Sequence, residues 1–230
     1  LVGSAALSFS APFLCARLAA AQSATPGASP EPIAPPQDLL PVDWGEVAGQ
    51  TATINGIDIY YEVYGEGDPL LLIHGGLGNG TYWANQIPVF AEHYQVIVMD
   101  SRGHGRSSFD ETPISYELMS SDVLGLLDHL EIPQTDLVGW SDGGIIGLDI
   151  ALNHPERLNK VVAYGANYDP SGVRADIGES VKFNAYIEKA SEDYVKLSPT
   201  PERWEEFLNN IGNMWATEPN YSAEQLATIT

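Results

Sequence analysis

The stretch Leu137-Val138-Gly139-Trp140-Ser141-Asp142-Gly143-Gly144 decides the fold of this 230-residue chain. Two apolar residues lead into it, as at the end of a buried strand, and the apolar run 145–152 leads out of it, as in a helix. Ser141 stands between two glycines in a Gly-x-Ser-x-Gly pattern, which is typical of a sharp strand-to-helix turn. Because such a turn holds one hydroxyl above the edge of a sheet, the pattern predicts a serine nucleophile at position 141.

Strands and helices alternate on both sides of this turn. The sequence predicts strands at 51–54, 57–63, 70–73, 95–99, 135–138 and 158–164. It predicts helices at 81–93, with a bend at Pro88, at 116–130, and from the turn to residue 153. Asn55-Gly56 is a strong hairpin signal between the first two strands, since both positions of that turn need a positive φ. The alternation predicts an α/β protein with a mostly parallel central sheet, flanked by helices on both faces.

The alternation stops after residue 166. Residues 176–197 and 202–216 have helical patterns, and Ser222 with Gln225 forms the capping box of a third helix. We therefore expect a core at 50–166 and a helical cap region at 167–230 that covers the top of the sheet.

Two segments precede the predicted core. Residues 1–22 are apolar and rich in small residues, and Ala19-Ala20-Ala21 resembles a signal cleavage site, although a basic segment in front is missing. Residues 23–49 are rich in proline and are predicted to form a linker. A partial signal peptide predicts an exported protein, periplasmic or secreted; the alternative for residues 1–22 is an ordinary N-terminal tail.

The composition excludes several kinds of partner. Lys and Arg number 10 against 31 Asp and Glu, so the formal charge is −21. This balance disfavours nucleic acid and anionic membranes, and no segment is a convincing membrane span. Cys15 is the single cysteine, and no Cys/His cluster has metal-ligand spacing, so neither an intrachain disulfide nor a metal site is predicted.

A serine nucleophile needs donors for the oxyanion that forms on its substrate. The amide N–H of Asp142 lies at the start of the helix after Ser141, where the helix dipole favours negative charge. A second donor is expected from the loop after an earlier strand, where His74-Gly75-Gly76-Leu77 stands. The candidate site is therefore catalytic Ser141, with Gly76 and Asp142 as the oxyanion hole.

Three motifs together carry a family resemblance. They are His74-Gly75-Gly76, the run DSRGHGRS at 100–107, and the run GWSDGG at 139–144. From residue 51 to the end, the chain resembles the α/β-hydrolase superfamily. It is similar to its small capped serine esterases and lactonases, such as the valacyclovir hydrolase-like and 3-oxoadipate enol-lactonase-like groups. The resemblance implies a Ser-His-Asp mechanism without a cofactor, through an acyl-enzyme on Ser141, and a small-molecule ester, lactone or related acyl substrate.

The resemblance also implies an acid and a histidine that follow the serine in the chain. His154 is the only histidine after Ser141, and the intervening helix would hold it about 20 Å away. His74 and His104 lie upstream in loops, and Asp169 is either a triad acid or a loop cap. We therefore expect a C-terminally truncated sequence whose last strands, acid and base lie beyond residue 230. Alone, the 230 residues are expected to expose a sheet edge and to be inactive.

Aromatic residues are frequent beside the serine and in the cap region. Trp140 adjoins the nucleophile, and the others are Tyr168, Phe183, Tyr186, Trp204, Phe207 and Trp215. They either line an apolar substrate pocket or pack the cap helices against each other. Two other functional classes remain open: a non-catalytic, receptor-like homologue that keeps the fold and binds a ligand, and an inactive fragment.

Overall fold

A six-stranded sheet forms the centre of the described protein. The computed structural model describes residues 48–230, so 1–22 and almost all of 23–49, predicted as signal segment and linker, lie outside the described residues. The spatial order is β1-β2-β4-β3-β5-β6. The strands are β1 (Gln50–Ile54), β2 (Ile57–Tyr64), β3 (Asp68–Ile73), β4 (Tyr94–Met99), β5 (Thr135–Trp140) and β6 (Leu158–Tyr164). β4, β3, β5 and β6 pair in parallel, whereas β1 and β2 are antiparallel to their neighbours, which confirms a mostly parallel sheet.

The helices within residues 48–230 are α1 (Ile87–Ala91), α2 (Tyr116–His129), α3 (Asp142–Asn153), α4 (Val181–Leu197), α5 (Trp204–Thr217) and α6 (Ala223–Leu226). The prediction of one helix over 81–93 is wrong, because a short 3-10 turn, Gly80–Trp83, is separate from α1. Pro88 explains the break. Proline has no amide hydrogen and disfavours a helical residue before it, so it is tolerated in the first turn of α1.

The middle strands are apolar along their whole length because both faces are covered. Leu71 and Ile73 of β3 belong to the large core cluster, together with buried residues of α2 and α3. Leu70 and Leu72 point to the opposite face and pack in a second cluster that includes Ile87 of α1. The period-two alternation of a strand thus divides one apolar run between two cores.

The hairpin between β1 and β2 has the predicted two-residue turn. Asn55 and Gly56 have φ values of 48° and 82°, and Ile54 pairs with Ile57. At the other side of the described sheet, β6 pairs only with β5 and exposes Val162 and Tyr164.

The helices after β6 contact the loops at the carboxyl ends of three strands. Tyr186 of α4 reaches the loop after β3, Phe207 of α5 packs against His104 in the loop after β4, and Trp215 of α5 reaches Asp142 after β5. The cap region therefore lies over the edge of the sheet where the candidate site is expected. The division of the chain at residue 167 stays a prediction.

Candidate active site

Ser141 occupies a strained turn between β5 and α3. Its φ of 53° and ψ of −116° are unusual for a residue with a side chain, and such a conformation costs about 1–3 kcal/mol. The surrounding backbone holds it there: the Ser141 N–H donates to the Tyr164 carbonyl at 2.8 Å, and the Ser141 carbonyl accepts from the Ile145 N–H at 3.0 Å. Within residues 48–230 no hydrogen bond occupies the Ser141 hydroxyl, so it is free to meet a ligand.

The two flanking glycines are required by contact between backbones. A Cβ on Gly139 would overlap the carbonyl of Gly143, and a Cβ on Gly143 would overlap the carbonyl of Ile73. Strand β5 and helix α3 can therefore approach each other, and β3, only because these positions carry no side chain.

The loop after β3, residues 74–78, lies directly against this turn. Because β3 and β5 are parallel neighbours, with Ile73 paired to Gly139, their carboxyl ends lie side by side. A Cβ on Gly75 would come within 3.2 Å of the Ser141 Cβ, and a Cβ on Gly76 would overlap the Asp142 carboxylate. The structure thus brings together Ser141, Gly76 and Asp142, three residues that the sequence singled out.

Asp142 is the first residue of α3, and its side chain is buried. The amide N–H at this position has no partner within the helix and lies at the positive end of the helix dipole. The carboxylate accepts hydrogen bonds from the Trp215 indole at 2.8 Å and the Tyr116 hydroxyl at 3.0 Å. Burial nevertheless outweighs these bonds and raises the pKa of Asp142 to about 6.

His74 has both ring nitrogens occupied. Its Nε2 accepts from the Ser101 N–H at 3.0 Å, so the ring proton is on Nδ1, which lies 2.8 Å from the Gly75 carbonyl and donates to it. Burial lowers the pKa of this imidazole. His74 is therefore a neutral side chain that joins the loops after β3 and β4, which supports a structural role over proton transfer to Ser141.

The other four histidines do not reach Ser141 either. His104 donates from Nδ1 to the Arg102 carbonyl at 2.8 Å, and burial lowers the pKa of its ring to about 3. His154 ends α3 at the far side from the serine, as predicted. His93 and His129 are exposed. All five histidines of the chain are described, and none is within hydrogen-bonding distance of the Ser141 hydroxyl.

Asp169 caps a turn. Its carboxylate accepts from the Ser171 N–H at 2.7 Å at the start of the 3-10 turn Pro170–Gly172. This contact is the loop-capping alternative of the sequence prediction, rather than a contact of a triad acid.

The loop after β4 is fixed by two ion pairs, of which one is buried on both sides. Asp100 accepts from the Arg106 Nε at 2.7 Å, and Asp122 accepts from the Arg102 Nε and Nη2, both at 2.8 Å. Asp100 and the Arg102–Asp122 pair are at most 1% exposed. These charges neutralise one another and hold the loop, so their role is structural.

Five aromatic rings stand around the elbow. Trp140 stacks on Tyr82 at 6.2 Å between centroids and meets Tyr186 at 5.8 Å, and Phe183 contacts both Tyr186 and Trp215. The structure thus divides the aromatic residues singled out in the cap region. Phe183, Tyr186 and Trp215 reach the site, whereas Trp204 and Phe207 pack on Tyr194 between the cap helices, and Tyr168 is exposed.

Sequence reasoning missed the hydrogen bonds of Tyr116, Tyr186 and Trp215. Tyr186 donates to the Gly76 carbonyl at 2.6 Å. Its aromatic character marked a candidate for the pocket, but no local signal identifies its hydrogen-bond partner. Among the described residues, no cluster of His, Cys, Asp and Glu could hold a metal ion, and no described helix is long and apolar enough to span a bilayer.

A sequence profile of the alpha/beta hydrolase fold family matches residues 68–190, which is more than half of the chain. The chain belongs to the α/β-hydrolase family. The match includes the loop after β3 and the turn at Ser141, and it confirms the superfamily inferred from the three motifs.

Two curated relatives illustrate the branch. The chain is 36% identical over 144 residues to 3-oxoadipate enol-lactonase 2 of Acinetobacter baylyi, covering 62% of this chain and 51% of that protein. It is 34% identical over 150 residues to RutD of Azorhizobium caulinodans, provisionally named a carbamate hydrolase, covering 64% and 56%. This α/β-hydrolase is therefore similar to the lactonase and esterase type, and the chain spans about half the length of these relatives.

A solved structure agrees with the fold. The meta-cleavage product hydrolase of Pseudomonas fluorescens IP01 superposes with a TM-score of 0.61, at 23% identity, over 79% of this chain and 76% of that one. At this identity the likeness concerns the fold alone.

The predicted export to the periplasm or the medium is wrong. The enol-lactonase and RutD that the α/β-hydrolase resembles are typically cytoplasmic bacterial enzymes. Residues 1–22, on which that prediction depended, lie outside the described residues. An apolar stretch rich in small residues is a weak signal when the basic segment expected before it is missing.

Proposed function

We propose that the protein is a hydrolase in which Ser141 is the nucleophile, and that it cleaves a carboxylic ester, a lactone or a related acyl bond. The strained conformation of Ser141, with a free hydroxyl at the start of α3, carries this proposal. A fold keeps a conformation of this cost only where the surroundings enforce it, and such positions cluster at functional sites. The relatives named as a lactonase and a carbamate hydrolase support an acyl substrate.

The arrangement fits acyl transfer. The Ser141 oxygen attacks the carbonyl carbon, and the carbonyl oxygen becomes an oxyanion that the N–H groups of Gly76 and Asp142 stabilise. The tetrahedral intermediate collapses and the bond to the alcohol oxygen breaks; that oxygen takes up the proton that the Ser141 hydroxyl gave up, and the acyl group stays on Ser141. Water then attacks the acyl-enzyme and releases the acid. The aromatic rings of Tyr82, Trp140 and Phe183 supply apolar surface for the acyl or alcohol group.

Turnover tests this proposal in protein expressed from the complete gene. A panel of p-nitrophenyl esters and lactones is assayed with the parent, with Ser141→Ala and with Ser171→Ala, in which an exposed serine is replaced. We expect Ser141→Ala to lose activity by more than about a thousandfold and Ser171→Ala to retain it. A Ser141→Ala variant as active as the parent would refute Ser141 as nucleophile.

A second function is favoured by the histidines, none of which reaches Ser141. A serine without a base is a weak nucleophile, so a non-catalytic protein that binds a ligand beside the elbow is consistent with the geometry of residues 48–230. We expect the 230-residue chain alone to hydrolyse p-nitrophenyl acetate no faster than its Ser141→Ala variant. The binding function requires the same result with the protein from the complete gene, whereas turnover there that depends on Ser141 would exclude it.

A further inference from the structure

Two helices of the cap region hold the two proposed oxyanion donors. From α4, the Tyr186 hydroxyl donates to the Gly76 carbonyl at 2.6 Å. From α5, the Trp215 indole N–H donates to both oxygens of the Asp142 carboxylate, at 2.8 and 3.0 Å. A Cβ on Gly76 would overlap both that carboxylate and the Trp215 ring. The two residues with the proposed donor amides, Gly76 and Asp142, are thus in contact with each other and with Trp215.

The loop after β3 needs such an anchor. Gly75 and Gly76 are consecutive glycines, whose backbone no side chain restrains, and Leu77 has a φ of 63°, which residues with a side chain rarely adopt. The Gly75 carbonyl is held inside the loop by the Gly78 N–H at 3.0 Å. For the Gly76 carbonyl, Tyr186 is the one donor among the described residues.

An oxyanion hole works only if its donors are oriented before the reaction begins. An amide N–H lies in the peptide plane that it shares with the preceding carbonyl, so the Gly76 N–H lies in the plane of the Gly75 carbonyl, which the Gly78 N–H holds. Tyr186 holds the next peptide plane through the Gly76 carbonyl, and so fixes the backbone on the other side of Gly76. On the other side, the Asp142 carboxylate fixes the first residue of α3, whose N–H is the second donor. Hydrogen bonds to both groups from one cap region set the two donors relative to each other.

We propose that Tyr186 and Trp215 are positioning residues that couple the cap region to the oxyanion hole. The inference depends on the proposed function, since it assigns a purpose to the Gly76 and Asp142 amides. Neither side chain forms a hydrogen bond with Ser141; Tyr186 acts through the Gly76 carbonyl, and Trp215 acts through the Asp142 carboxylate. Loss of either hydrogen bond weakens stabilisation of the transition state more than binding of the substrate.

The first test is the Tyr186→Phe variant, which keeps the ring and removes the donor. In protein from the complete gene, we expect kcat to fall about tenfold with KM changed less than about twofold. The Gly76 amide remains in the variant but is less well oriented towards the oxyanion, so stabilisation of the transition state is only partly lost. Hydrogen exchange measured by mass spectrometry should be faster at the amides of residues 75–78. Trp215→Phe, which keeps an aromatic ring, should lower kcat in the same way.

Tyr194→Phe is the matched control, since Tyr194 is a buried tyrosine of the same helix whose hydroxyl lies 3.5 Å from the Thr200 hydroxyl and does not contact the site. It should change neither kcat nor exchange at 75–78, and all three variants should keep the parent's melting temperature to within a few degrees.

Unchanged kcat in both Tyr186→Phe and Trp215→Phe, with activity that still requires Ser141, would overturn the inference and leave the proposed function intact. Unchanged exchange at 75–78 in Tyr186→Phe would overturn it as well. Activity that survives in Ser141→Ala would instead refute the proposed function, and the inference with it.

Discussion

Replacement of Asp142 by asparagine should change how the stability of the protein depends on pH. The carboxyl group is 3% exposed, and burial raises its pKa from 3.8 to about 6 despite the hydrogen bonds from Trp215 and Tyr116. Asparagine keeps an oxygen that accepts those two hydrogen bonds but does not ionise. The Asp142→Asn variant therefore isolates the free energy of burying the charge.

The sign and size follow from the two pKa values. A carboxyl whose pKa is raised by folding stabilises the folded state fully below its unfolded value, 3.8, and this stabilisation is lost as the pH rises through about 6. A shift of about two units corresponds to about 3 kcal/mol between these limits. Between about pH 5 and about pH 7.5, the parent loses about 1.4 kcal/mol of its free energy of unfolding through this group. The Asp142→Asn variant has no carboxyl at this position and does not show that loss.

Urea unfolding of parent and variant at those two pH values measures the effect. We expect the free energy of unfolding of Asp142→Asn, relative to the parent, to rise by about 1.4 kcal/mol from the lower to the higher pH. Any constant cost of the amide cancels in this comparison. Glu66→Gln, in an exposed turn, is the control and should show no such change. If the free energies of unfolding of Asp142→Asn and the parent differ by the same amount at both pH values, the raised pKa of Asp142 is refuted.

Three further predictions concern the elbow and its surroundings. Gly143→Ala should lower the free energy of unfolding by more than about 2 kcal/mol, because its Cβ would overlap the Ile73 carbonyl. Gly212→Ala in α5, where no atom lies within 4 Å of the added Cβ, should instead raise the free energy of unfolding by up to about 1 kcal/mol. Equal melting temperatures of the two variants would contradict both predictions. Asp122→Asn should cost about 3 kcal/mol in urea unfolding, since it leaves the buried Arg102 charge with only Asp110, 3.4 Å away and 44% exposed, as counter-charge. Asp128→Asn removes the exposed partner of Arg157 and should cost less than about 1 kcal/mol. Similar losses in Asp122→Asn and Asp128→Asn would contradict the larger contribution of the buried pair. Asp169→Asn keeps the oxygen that caps its turn, so ester turnover by the complete protein should stay within about twofold, whereas a loss above about a hundredfold would identify Asp169 as the triad acid.

The parts of the fold that could be predicted from sequence are those determined by neighbouring residues. The turn at Asn55-Gly56 needs positive φ at two adjacent positions, and Gly139 and Gly143 are needed by a turn only five residues long. The apolar runs of β3 and β4 indicate burial on both faces without any knowledge of their partners. Ser141, Gly76 and Asp142 could be proposed as one site because parallel neighbouring strands end at the same edge of a sheet.

Contacts between distant segments could not be predicted. Tyr186 lies 110 residues from Gly76, and Trp215 lies 73 residues from Asp142, so neither pairing leaves a periodic pattern in the sequence. The same limit applies to the hydrogen-bond partner of His74, the Ser101 amide on the neighbouring loop, although a structural role for His74 was predicted from its place at the end of a strand. The error over 81–93 had a local cause: Pro88 was predicted to bend one helix, whereas it lies in the first turn of a separate, shorter helix.

Covalent labelling is the most direct test of Ser141 as the nucleophile. Protein from the complete gene is treated with a fluorophosphonate probe, digested, and the modified peptide is located by mass spectrometry. We expect a single adduct on Ser141, which is absent from Ser141→Ala and undiminished in Ser171→Ala. An adduct on another residue, or labelling of Ser141→Ala at the parent's rate, would contradict it.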